Sequence, residues 1–203
     1  MCKKLNLYTI VMFILIFSMI GCSSPTSNSI GDIIESYYKK HEPSNKGKTQ
    51  IFAQKAFKDG TLVLTEKYFG DGHTFTNLFL LDENKKIIKK AQGQTPISMC
   101  FTVNVIEYDG SKILFGNFND STWLIEPPDK KKPVDIQNIL VRFKNSEVYT
   151  DKVEKGYIIY SKSLSDVEVV ELYDNNGILQ SDLNDLRRYG SVFTEASFVD
   201  TVQ

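Results

Sequence analysis

The chain is poor in the residues from which catalytic and metal sites are most often built. Its 203 residues include only two histidines, His41 and His73, three cysteines, at 2, 22 and 100, and one tryptophan, Trp123. No H-x-x-x-H or C-x-x-C spacing pairs the imidazoles or thiols, which argues against a zinc site. There is no G-x-S-x-G nucleophile elbow and no glycine-rich phosphate loop. Arginine is scarce as well: Arg142, Arg187 and Arg188 are the three among 24 basic residues. Sites that grip phosphate or carboxylate through paired hydrogen bonds usually use arginine. Its shortage therefore weighs against nucleotide and nucleic-acid recognition. A formal net charge of −1 adds no attraction for polyanions. Nothing here implies a cofactor.

What the chain does have is one apolar run. Lys3 and Lys4 lead into residues 5–20, which are broken only by Asn6, Thr9 and Ser18. The run ends in Met19-Ile20-Gly21-Cys22, with Ser23-Ser24-Pro25 behind it. At sixteen residues it is short of the roughly 20 that a spanning helix wants. An ordinary secretory signal would want an A-x-A-like site, and none is present. Gly21-Cys22 supplies a small residue and a thiol instead. Residues 1–24 thus resemble a bacterial lipoprotein signal. The resemblance implies that residues 1–21 are removed as a signal peptide and that the Cys22 thiol carries a diacylglycerol. Two acyl chains give stable attachment where one gives only marginal binding, at ~0.8 kcal/mol per buried methylene. The expected location is the extracytoplasmic face of the cell membrane, with the lipid on Cys22 as membrane partner. Residues 22–29 are small and polar, fit for a tether.

Loss of the leader would leave 182 residues with 22 basic and 25 acidic groups, a net charge of −3. That length carries a domain with a real core. Cys100 would be the one thiol without lipid, so stability would have to come from packing and not from an intrachain disulfide. Thirteen Phe and ten Tyr are on hand to fill a core.

After the tether the period is helical: Ile30, Ile33, Ile34, Tyr37 and Tyr38 share a face, Ser29 suits an N-cap and Pro43 closes the segment. One amphipathic helix is predicted over 30–40. From residue 49 the period becomes two. Strands are predicted at 50–57, 61–68, 74–81, 86–91, 97–108, 112–118, 122–125, 136–143, 157–162, 167–173 and 191–198. Turn signals at 58–60, 70–72, 82–85, 109–111 and 174–177 carry the Gly, Asn and Asp of hairpins. A short helical turn is predicted at 182–188.

Closely spaced strands joined by hairpin turns predict a mainly β, antiparallel meander, either a sandwich or stacked small sheets, with the one amphipathic helix at its N-terminal side. Segments after Gly60, Gly110 and Gly156 echo one another at steps of 50 and 46 residues, which suggests blade-like repeats. Strand–turn–strand chemistry alone would give the same likeness. Residues 30–203 are thus expected to form a single mainly β domain. Two halves could meet near 126–135, where Pro127, Pro128 and Pro133 bar a central strand.

Few residues invite chemistry. Ser36-Tyr37-Tyr38-Lys39 matches S-x-x-K, but its partner motifs are missing. Asp71 and His73 share a hairpin tip, where solvation explains them better than a metal. Cys100 has no histidine near it in sequence and reads as a core thiol. The most suggestive cluster is Asn117, Asp120 and Trp123: an indole beside amide and carboxylate suits stacking on a sugar ring. The expected function is a non-catalytic binding or accessory module of the cell envelope, engaging an envelope protein or glycan. The alternative is an envelope hydrolase that would use Cys100, Ser36 or a carboxylate pair.

Overall fold

A computed structural model describes residues 29–43, 47–68, 74–124, 130–188, 190 and 192–201. The leader, Cys22, the tether to residue 28, the turn at 70–72, His73 and the 126–129 part of the proline-rich loop lie outside the described residues. Among the described residues no helix is long and apolar enough to cross a membrane.

Helix α1 (Ile30–His41) begins in a capping box. Ser29 Oγ accepts the Asp32 N–H at 3.2 Å while Asp32 Oδ2 accepts the Ser29 N–H at 3.1 Å. It ends just before Pro43. Four strands then form sequential hairpins: β1 (Thr49–Phe57), β2 (Gly60–Tyr68), β3 (Thr74–Leu81) and β4 (Ile87–Gly93). After them come β5 (Asn104–Tyr108), β6 (Ser111–Asn117), β7 (Ser121–Trp123), β8 (Lys131–Pro133), β9 (Asn138–Phe143), β10 (Val148–Lys152) and β11 (Gly156–Ser161). The chain finishes with β12 (Val167–Tyr173), β13 (Leu179–Asp182), the short helix α2 (Leu183–Arg187), β14 (Thr194–Glu195) and β15 (Val199–Asp200).

The strands make three stacked sheets and a small ribbon. Sheet 1 runs β1-β2-β3-β4-β15, sheet 2 runs β11-β6-β5-β14, sheet 3 runs β10-β9-β12-β13, and β7 pairs β8. The side chains dictate the stacking. On β2 and β3, Val63, Phe79 and Leu81 face α1 and bury Ile34 and Tyr38. Leu62, Leu64, Leu78 and Leu80 point the other way, onto Ile106, Ile113, Phe115 and Ile158 of sheet 2. The far face of sheet 2 sets Leu114, Tyr157 and Ile159 against Ile139, Val141, Val170 and Leu172 of sheet 3. The layers are therefore helix, sheet 1, sheet 2, sheet 3. Sheet 2 is covered on both faces, which is why Ser-Lys-Ile-Leu-Phe-Gly-Asn of β6 is buried throughout instead of alternating.

The mainly β, antiparallel character and the stacked small sheets agree with the sequence pattern. Several details differ. Only sheet 1 is a sequential meander; β6 pairs with β11 across four intervening strands, and β14 joins β5 in parallel. Of the segments that echo one another, those after Gly110 and Gly156 are β6 and β11, neighbours in one sheet, while that after Gly60 is β2 of another. They do not occupy equivalent places. The strand predicted over 97–108 begins only at Asn104. Before it lies a loop whose carbonyls Pro96 O and Met99 O accept from the Asn119 amide at 3.1 and 3.0 Å. The strand predicted over 191–198 is a strap instead: β14 edges sheet 2, and the chain then crosses to sheet 1 as β15. Its inner side chains, Ala196 and Phe198, close the interface between those two sheets.

Candidate functional site

The residues predicted to gather around a sugar differ in burial. Asn117, at the end of β6, is buried. Its amide donates to Glu66 Oε1 at 2.8 Å and accepts from Thr76 Oγ1 at 3.0 Å, fastening sheet 2 to sheet 1. Burial pushes the Glu66 carboxyl above its ordinary range, against the hydrogen bonds from Thr74 and Asn117. Asp120 is exposed and accepts from Ser121 Oγ at 3.0 Å. Trp123 is exposed on the ribbon, with Lys131 Nζ 4.9 Å over its ring. One of the three faces the core and two face solvent.

The nucleophile candidates lie in different parts of the fold. Ser36 and Lys39 stand exposed on α1. Cys100 is buried in the core between sheets 2 and 3, and burial pushes its thiol up. Among the described residues no three His, Cys, Asp or Glu side chains are grouped to hold a metal ion.

What the fold does build is a groove of about 530 Å³ where sheets 2 and 3 splay apart at one end. This lies within the ~300–1,000 Å³ usual for ligand sites. Val105 of β5 and Val167 of β12 give it apolar surface, and Phe193 stands at its lip, 40% exposed. The charged wall comes from four distant stretches of chain. Lys112 of β6 lies on the sheet 3 side of sheet 2, and its side chain is only 8% exposed. Its Nζ donates to Asp166 Oδ1 at 2.9 Å and pairs with Glu107 Oε1 at 3.1 Å. Lys144 Nζ reaches the other Asp166 oxygen at 3.1 Å. Glu195, Ala196 and Ser197 of the strap complete the lining. A wider depression of about 630 Å³ lies on sheet 3, but every residue lining it belongs to that one sheet, so it lacks a second wall.

Ion pairs lock Lys112, Lys144, Glu107 and Asp166 together in the groove. Burial opposes the charge on Lys112, but its hydrogen bonds to Asp166 and Glu107 outweigh this and hold its pKa above the ordinary 10.5. Hydrogen bonds from Lys112 and then Lys144 hold Asp166 below the ordinary 3.8. The signs follow by linkage. Asp166 contributes stability above its ordinary pKa and loses it as pH falls through the lowered value. Lys112 contributes fully below its ordinary pKa and loses it as pH rises through the raised one. Urea unfolding across pH is therefore expected to show an alkaline loss of stability in the native chain that is smaller in Lys112→Met. Identical alkaline limbs would show that the bridges contribute nothing.

The chain matches no family model, no curated protein and no solved structure.

No sequence motif marks this groove. Its residues lie between positions 105 and 197 and read in sequence as ordinary strand ends. The one signal was Lys112, a lysine opening the otherwise apolar run of β6.

Proposed function

We propose that the chain is a membrane-anchored extracytoplasmic lipoprotein that works as a non-catalytic binding module of the cell envelope, with the groove between sheets 2 and 3 as its binding site. The anchor rests on the lipoprotein-like signal ending at Cys22. The binding role rests on one observation: the groove is open and partly apolar, yet its two amines are spent on the carboxylates of Asp166 and Glu107. An acid or base for proton transfer works best with a pKa near the operating pH. Lys112 and Asp166 are both driven away from neutrality, which suits recognition and not turnover.

Two changes test this. Cys22→Ser is expected to move nearly all of the chain from the membrane fraction to the soluble one; retention in the membrane would remove the anchor. A benzophenone-bearing phenylalanine analogue at position 193 is expected to form adducts on intact envelopes. The same group at Ile178, exposed on the hairpin past the opposite end of β12, is expected to form none. Equal labelling at both positions, or none at 193, would contradict the groove as a binding site.

A further inference from the structure

We infer that the groove takes an extended polypeptide segment bearing a basic side chain, and that this segment pairs with the free outer edge of β14. The inference rests on the groove being the binding site and names what it binds.

The backbone gives the first argument. β14 is the last strand of sheet 2, and among the described residues nothing pairs with its outer side. The N–H groups of Thr194 and Ala196 donate inward, to Val103 O and Val105 O, each at 2.9 Å. Strand alternation then turns the N–H and C=O of Glu195 outward. Proteins commonly blunt such edges by keeping them short or with charged side chains, proline or a bulge. β14 is two residues long and carries Glu195 on its edge, but no lysine or proline stands there, and the outward positions Phe193, Glu195 and Ser197 all line the groove. An unpaired edge beside a groove is the geometry of strand addition. In that mode main-chain hydrogen bonds supply affinity and pockets for alternate side chains supply selectivity.

The charges give the second argument. Lys112 and Lys144 are both engaged, with Asp166 between them and Glu107 on Lys112. Glu195 is exposed and makes no ion pair or side-chain hydrogen bond among the described residues. The lining therefore holds three carboxylates against two amines, with the surplus negative charge at Glu195 on the strand edge itself. A lysine or arginine of an added strand would meet it, while Phe193 and Val105 cover a neighbouring apolar side chain.

The test uses the full chain in detergent micelles, labelled with ¹⁵N, and ten-residue Thr/Val/Ser peptides with Lys, Leu or Glu at the centre. Fluorescence anisotropy is expected to rank Lys over Glu by about fivefold or more, the scale of one partly exposed ion pair. Glu195→Gln should erase most of that preference and leave the Leu peptide unchanged. N-methylation of alternate peptide amides should abolish binding in one register and spare it in the other. The Glu195 amide resonance should move on titration. Equal binding of the Lys and Glu peptides, or indifference to N-methylation in both registers, would overturn the inference. If the peptides leave the groove amides unmoved while cell-wall glycan fragments shift them, the peptide inference fails and the groove reading stands. If neither moves them, both fail.

Discussion

Gly116→Val is expected to prevent the chain from folding. Gly116 sits in β6 with its missing side chain directed toward sheet 3, the same way as Leu114 two residues before it. The carbonyl of Thr102 lies directly against that spot, well inside contact distance of any Cβ, and Tyr157 Cε1 would be 3.0 Å away. Neither neighbour can give way. Thr102 O is held by the Tyr157 hydroxyl at 2.8 Å, and Thr102 Oγ1 is held by Gln94 O at 3.0 Å. Even Gly116→Ala would have to push a hydrogen-bonded, buried main chain off the middle sheet. A cost above ~4–5 kcal/mol is exceptional for one substitution and is a large share of the ~5–15 kcal/mol of a whole domain. Gly110→Ala is the control. It has open space around it but a φ of +75°, so the cost there is about 1–2 kcal/mol of backbone strain. Far-UV circular dichroism of the two variants separates the cases. A folded Gly116→Val chain would mean that the Thr102 carbonyl does not lie against β6.

Glu35→Ala is expected to cost about 3 kcal/mol, the scale of stranding a buried charge. Glu35 reaches from α1 to sheet 1. Its Oε2 lies 3.7 Å from Lys67 Nζ and its Oε1 accepts the Thr49 N–H at 2.9 Å. The Lys67 side chain is 2% exposed and has, besides that carboxylate, the face of Tyr38 at 4.6 Å. Removing Glu35 leaves an ammonium under the helix and an N–H without its partner. Lys67→Met, by contrast, removes the charge that needs compensation and is expected to stay within about 1 kcal/mol of the native chain. Glu35 also gives a pH signature. Burial opposes its ionisation, but Thr49 and the charge of Lys67 prevail and hold the carboxyl below the ordinary 4.5. A lowered carboxylate pKa contributes stability above the ordinary value and loses it as pH falls through the folded one. The gap between native and Glu35→Ala in urea unfolding should therefore narrow in acid. A gap that is flat from pH 7 to pH 3 would assign the loss to packing alone.

Much of the fold was legible because local chemistry and tertiary need coincide. The capping box at Ser29 and Asp32, and the Asp and Gly of the hairpin turns, act within a few residues. Strands β3 and β12 match the pattern residue for residue, since Thr74–Leu81 and Val167–Tyr173 are dense in β-branched and apolar side chains. β10 escaped because Val-Tyr-Thr-Asp-Lys is an edge strand with mostly exposed side chains and no apolar face to betray it. Pairing beyond the hairpins was not legible: nothing in β6 or β11 says that they are neighbours, because that choice is made by how two buried faces are covered. The groove was hidden for the same reason. Lys112 and Asp166 are 54 residues apart, and each looks like a solvated residue at a strand end until the sheets stack. Asn117, Asp120 and Trp123 are neighbours in sequence, but Asn117 closes buried β6 while Asp120 and Trp123 stand exposed on the turn and ribbon after it.

Whether the mouth between sheets 2 and 3 is where the anchored chain meets its ligand is tested most directly by hydrogen exchange of the unaltered protein. The comparison is between the chain in its own envelope and the chain purified in detergent. A bound partner there is expected to slow the amides around Glu195 by about tenfold or more in the envelope and to leave the exposed hairpin at Ile178 unchanged. Equal exchange around Glu195 in the two preparations, or protection confined to another face, would contradict it.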